Sequence, residues 1–145
     1  MSTPPVAVQD VRTICCAGTG VIGGGWVAYF LAHGYDVVAW DPAPDAEARL
    51  RRIVEAARPA LNSLGLPDDG WGALTVAGSL AEAVRDAAFV QESAPEDLEL
   101  KRSLLADLAA ATGPDTIVAS STSGFPMTDM AVRAADPSQI GRAHV

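Results

Sequence analysis

A chain of 145 residues is the size of one domain, with enough surface to bury for a single hydrophobic core and not for two. Its net charge of −8 speaks against nucleic acid or anionic membrane as a partner, because both need a basic face. Hydrophobic residues make up 49%, an ordinary globular share, and no apolar run approaches the roughly 18 residues of a membrane span. The expectation is a soluble, cytoplasmic protein.

Met1 to Asp10 contains two prolines and reads as a mobile arm. Val11 to Ala17 reads as a buried strand, too apolar in character for a half-exposed one. Within it the adjacent Cys15 and Cys16 point to opposite faces and read as packing residues, and the chain offers too few ligands for a metal site. Gly18-Thr19-Gly20-Val21-Ile22-Gly23 follows, and Val21 to Ala32 supplies a helix stopped by Gly34. His33 sits at the end of that helix, where an imidazole satisfies free carbonyls. Asp36 to Trp40 is a second strand, closed by Asp41-Pro42.

Ala43 to Leu64 is helical, with Pro59 as a kink or break. Leu74 to Ala77 is a third strand, and Ser79-x-x-Glu82 has the capping-box spacing that opens a short helix. Ala88 to Glu92 is a fourth strand. Pro95 to Thr112 is an amphipathic helix on Leu100, Leu104 and Leu108, stopped by Gly113-Pro114. Thr116 to Ser120 is a fifth strand.

Strands alternating with helices predict an α/β, Rossmann-type doubly wound fold with a parallel sheet and right-handed crossovers. Six strands are usual in such a sheet, and five are countable. The fifth strand is then an apolar edge, and marginal stability or self-association is expected. The last six residues, IGRAHV, are what ATC GGA AGA GCA CAC GTC encodes, the start of a widely used sequencing adapter. Residues 11–139 are accordingly read as the domain and 140–145 as a non-native tail.

The glycine pattern alone is weak, but it follows a strand, opens a helix and precedes an acid at the end of the next strand. In that setting Gly18 permits the tight turn, Gly20 lets backbone approach a pyrophosphate, and Gly23 lets helix and strand pack closely. Val21 and Ile22 open the helix whose N-terminus faces the phosphates. Asp41 either accepts hydrogen bonds from ribose hydroxyls, favouring NAD over NADP, or forms a simple Asp-Pro turn. Arg49, Arg51 and Arg52 read as solvated charges.

On GTGVIGGGWVAYFLAHGYDVVAWD, VQESAPEDLELK and ASSTSGF, the sequence resembles the 3-hydroxyacyl-CoA dehydrogenase family in its NAD-binding N-terminal domain. DPAP, Pro59-Ala60-Leu61 and QESAPE most resemble the branch that oxidises L-carnitine, with the L-gulonate and 3-hydroxybutyryl-CoA branches sharing the same motifs. The 3-hydroxyisobutyrate dehydrogenase group shares the glycines and lacks the ESAPE and STSG spacing. The resemblance implies that the loop after the fourth strand, through Ser93, Glu96 and Lys101, meets the nicotinamide half of NAD. Lys101 is the only lysine in the chain. Ser93-x-x-Glu96 also has capping-box spacing, which leaves a purely structural role open for Glu96.

The resemblance further implies that Ser123 bonds the substrate oxygen at the carbon being oxidised, against the alternative of a Ser/Thr-rich turn; Ser121 and Thr122 are weaker candidates. The family's Gly-His-x-Phe-Asn-Pro base and its downstream Glu are not found, and His144 is not read as their replacement. The implied whole protein takes a small hydroxy acid or acyl-CoA, is a homodimer through a helical C-terminal domain, and uses NAD. A non-catalytic NAD-binding module is the alternative.

Overall fold

The computed structural model describes residues 6–142. Six parallel strands form one sheet: β1 (Thr13–Ala17), β2 (Asp36–Trp40), β3 (Leu74–Val76), β4 (Phe89–Glu92), β5 (Ile117–Ser120) and β6 (Ile140–Arg142), in the order β3-β2-β1-β4-β5-β6. Helices α1 (Val21–Ala32), α2 (Ala46–Ser63), α3 (Leu80–Val84), α4 (Leu98–Ala111) and α5 (Met127–Met130) make the connections. The order reverses beside β1, which pairs with β2 on one side and β4 on the other, and a crevice opens there at the carboxyl ends of the strands.

β1 is central because it is apolar on both faces. Cys15 and Ala17 join a cluster with Val90, Leu104, Leu105, Leu108 and Val118, while Ile14 and Cys16 join the opposite cluster with Val27, Leu31, Val37, Leu50 and Val54. Each fully buried valine in these clusters contributes roughly 1.5–3 kcal/mol by removal from water. The two cysteines are free and wholly buried on opposite sides of the sheet, and burial pushes the Cys15 thiol up to about 12. They pack, as their adjacency implied.

Several boundaries differ from the expectations. Of the N-terminal arm, Met1 to Pro5 lie outside the described residues, and Val8–Asp10 forms a turn of 3₁₀ helix. α2 runs unbroken through Pro59, which is exposed, and the final turn closes with Leu64 N–H donating to the Ala60 carbonyl at 3.2 Å. α3 has its serine cap, Ser79 Oγ accepting from Glu82 N–H at 3.2 Å, while Glu82 reaches back to Gly78 N–H at 3.1 Å. His33 ends α1 with Nδ1 at 2.8 Å from the Tyr29 carbonyl.

The count of five strands is corrected to six. Ile140, Gly141 and Arg142 pair in parallel with Val118, Ala119 and Ser120, so β5 is not the edge of the sheet. Three residues with a glycine in the middle carry no readable periodicity, and the backbone of β5 supplies the template that local pattern does not. β6 falls within the segment set apart as a tail, and His144 lies outside the described residues. Among the described residues no helix is long and apolar enough to cross a membrane, and no group of three His, Cys, Asp or Glu is placed to hold a metal.

Candidate cofactor site

The turn from β1 into α1 is built by sterics. Gly18 has φ +92°, the left-handed region that favours glycine, and a Cβ there would lie 2.7 Å from the Ser93 carbonyl carbon. A Cβ on Gly23 would lie 1.9 Å from the Gly18 carbonyl oxygen, so helix and turn touch through bare backbone. Gly20 differs from both: a Cβ would meet nothing within 4 Å. Gly20 is also the N-cap of α1, and no side chain caps it. Behind this turn Thr19 is buried, donating through its N–H (2.9 Å) and Oγ1 (3.1 Å) to Asp41 Oδ2.

Asp41 ends β2, and its Oδ1 accepts from Ala43 N–H at 2.9 Å. An ionised carboxylate offers about four lone-pair sites. Three are taken by Thr19 and Ala43, which leaves room for one further donor.

The loop after β4 departs from the capping-box alternative. α4 begins at Leu98, and its cap is Asp97, whose Oδ1 accepts from Leu100 N–H at 2.9 Å. Ser93 Oγ instead lies 2.9 Å from Ser121 Oγ, which also accepts from Gln91 Nε2 at 2.7 Å. Glu96 precedes the helix and crosses to the loop after β5, accepting from Thr122 Oγ1 at 2.6 Å and from Ser123 N–H at 3.1 Å, with Ser123 Oγ at 3.5 Å. The hydrogen bond from Thr122, helped by the Ser123 amide and the positive charge of Lys101, holds the Glu96 carboxyl below the usual glutamate range.

A carboxyl lowered by folding adds stability that is present above the unfolded glutamate value and lost as pH falls through the folded one. Thr122→Val should therefore move the Glu96 titration upward, towards the ordinary range, in a carbon-detected NMR titration. An unmoved titration would show that Thr122 is not its main partner.

Lys101 is where the structure differs most from a solvated cation. It is 1% exposed, and its Nζ donates to Glu92 Oε1 at 2.7 Å and to the Ala94 carbonyl at 3.0 Å. Glu92, fully buried at the end of β4, also accepts from Ala94 N–H at 2.8 Å and from Ser120 Oγ. Sequence alone assigns Glu92 no role. Its signal is a carboxylate inside an otherwise apolar strand, followed by the chain's single lysine at the start of the next helix.

A cleft of about 1080 Å³ runs along these carboxyl ends. It exceeds the roughly 300–1,000 Å³ of a drug-sized pocket, which gives room for a dinucleotide. Gly18, Gly20, Val21, Ile22, Asp41, Ser93, Glu96, Lys101 and Ser123 all line it, and Gly23 stands behind the turn. Trp40, Pro42, Leu100 and Asp107 line it too, beyond the residues expected from sequence. Arg49, partly exposed and paired at 3.0 Å with Asp45, lines the cleft as well. The space at Gly20, the uncapped helix end and the spare lone pair of Asp41 fit a dinucleotide.

The model of the 3-hydroxyacyl-CoA dehydrogenase, NAD binding domain, family matches residues 13–145. The chain is 62% identical over 141 residues to an L-carnitine dehydrogenase of Streptomyces griseus, covering 97% of this chain and 42% of that protein. To an L-carnitine dehydrogenase of Pseudomonas aeruginosa it is 49% identical over 138 residues, 94% of this chain and 43% of that one. Among solved structures, a diketoreductase superposes with TM-score 0.83 at 26% identity, over 92% of this chain and 50% of that one. The 3-hydroxybutyryl-CoA dehydrogenase of Escherichia coli K12 superposes with TM-score 0.77 at 25% identity, over 91% and 29%. The chain thus spans about two fifths of the length of the curated relatives it matches. It belongs to the family of the 3-hydroxyacyl-CoA dehydrogenase NAD-binding domain, and its cofactor is NAD.

Proposed function

We propose that this chain is the cofactor half of an oxidoreductase that oxidises the 3-hydroxyl carbon of a small hydroxy acid, with an L-carnitine-like substrate favoured over an acyl-CoA. NAD, when bound, supplies the hydride acceptor. The α1 N-terminus, through the amides around Gly20, Val21 and Ile22, faces the pyrophosphate, and Asp41 takes a ribose hydroxyl. Ser93, Glu96 and Lys101 line the nicotinamide half, and Ser123, exposed at the cleft, orients the substrate oxygen.

Glu96 is the carboxylate beside Ser123, but one held low is a poor proton acceptor at neutral pH. The base that the reaction requires is therefore assigned to the part of the relatives that this chain does not span. The chain alone is expected to bind NAD with negligible turnover. Homodimer formation belongs to the same proposed whole.

The observation that carries the substrate choice is the charge at the site. Glu96, Asp41 and Asp107 line the cleft, and no cation lies within ion-pair distance of them among the described residues. Three of the four arginines on α2 are matched, Arg49 with Asp45, Arg51 with Glu47, and Arg58 with Glu55 and Asp68, and of the four only Arg49 lines the cleft. Such a surface suits a quaternary ammonium and offers little to the phosphates of coenzyme A. An intact protein extended with the remainder of its gene should reduce NAD with L-carnitine and not with 3-hydroxybutyryl-CoA, followed at the NADH absorbance. The reverse preference would overturn the substrate reading.

A further inference from the structure

Glu92 and Lys101 form a charged pair buried directly beneath one end of the cleft, at 0% and 1% exposure. An ammonium has three donors. Glu92 and the Ala94 carbonyl take two of the three on Lys101, which itself lines the cleft. Glu92 is held in turn by Ala94 N–H and Ser120 Oγ, so the carboxylate cannot turn away from the lysine without breaking both. The floor at the ends of β4 and β5 therefore carries two opposite charges and no net charge.

A dinucleotide with its pyrophosphate at α1 and its adenosine ribose at Asp41 extends its other half across the β1–β4 reversal, onto this floor. That half ends in a nicotinamide ring, which bears a positive charge when oxidised and none when reduced. A lone ammonium beneath it would repel one redox form and leave the other nearly unaffected. We infer that Glu92 is a positioning residue with an electrostatic role, in which it fixes and neutralises Lys101 and so keeps the cleft open to the oxidised cofactor. The inference rests on the proposed seat of the nicotinamide half.

The test is the ratio of dissociation constants for NAD and NADH, measured by titration calorimetry on the chain and on three variants. Glu92→Gln should raise the ratio Kd(NAD)/Kd(NADH) about tenfold. A tenfold change is about 1.4 kcal/mol of difference between the two redox forms. Lys101→Met should lower the ratio by a similar factor. The double variant E92Q/K101M should return it to within about twofold of the parent chain at the same pH. A packing defect would weaken both forms together and leave the ratio unmoved.

Unchanged ratios in the single variants would overturn the inference while leaving cofactor binding intact. Should E92Q fail to fold, a Lys101→Met ratio that is level or raised would overturn it as well. If the unsubstituted chain bound neither form, the proposed cofactor site would fall and the inference with it.

Discussion

Gly20→Ala should leave the fold standing and remove the cofactor, whereas Gly23→Ala should do its damage to the fold. Gly20 sits at φ −68° and ψ −160°, extended backbone open to alanine, and a Cβ there meets nothing within 4 Å. As an N-cap change it costs below about 1 kcal/mol. The added methyl, however, projects into the space where phosphate oxygens must come within hydrogen-bond distance of the helix amides. NADH affinity should fall at least about tenfold, a loss of roughly 1.4 kcal/mol, while the melting temperature moves by only a few degrees.

At Gly23 the added Cβ would stand 1.9 Å from a carbonyl oxygen of the turn, and neither backbone segment has a flexible end that could yield. The expected cost is above about 4 kcal/mol, which lowers the melting temperature by more than about 10 °C. Thermal melts and NADH titrations of the two variants separate the effects. Equal losses of stability in both, or full NADH affinity in Gly20→Ala, would contradict the geometry of this turn.

Lys101→Met should destabilise the chain by about 3–5 kcal/mol, because it strands the fully buried Glu92 without its counter-charge. Two neutral hydrogen-bond donors would remain on that carboxylate, Ala94 N–H and Ser120 Oγ, which is too few to replace an ammonium. Removing both charges, as in E92Q/K101M, should recover most of the loss and end within about 1–2 kcal/mol of the parent chain, since burying the pair in the first place costs desolvation of both ions. Chemical denaturation of the two variants measures the difference. A Lys101→Met chain as stable as the parent would mean that the pair is not sequestered from water.

The parts of the fold most legible in the sequence are those with strong apolar runs and glycine punctuation. α1 and β2 fall at Val21–Ala32 and Asp36–Trp40, as expected, because Gly20 and Gly34 bracket the helix and Asp41-Pro42 closes the strand. Where two local signals compete, only tertiary contact decides. Ser93-x-x-Glu96 and Asp97 both resemble helix starts, and Asp97 prevails because Thr122 and Ser123, far along the chain, draw Glu96 to themselves.

β6 has no local signal at all, since its pairing is set by the edge that β5 offers. Within the cleft, Lys101 stands out in the sequence as a lone lysine, but nothing local tells that it is buried. Leu104, Leu105 and Leu108 are buried on its side of α4, while Leu100 is 45% exposed and faces the cleft, so the inward stripe begins at the lysine.

The bond between Thr19 and Asp41 has a bearing on how the chain meets its ligand. It ties the glycine turn to the end of β2, so the groups proposed for the pyrophosphate and for the ribose move as one body. Holding them together lowers the ordering entropy that binding would otherwise cost, because folding has already fixed their separation. Such a preorganised pair admits a ligand whose phosphate-to-ribose span is that of a nucleotide and discriminates against one that is longer or shorter, before any atom of the base is touched.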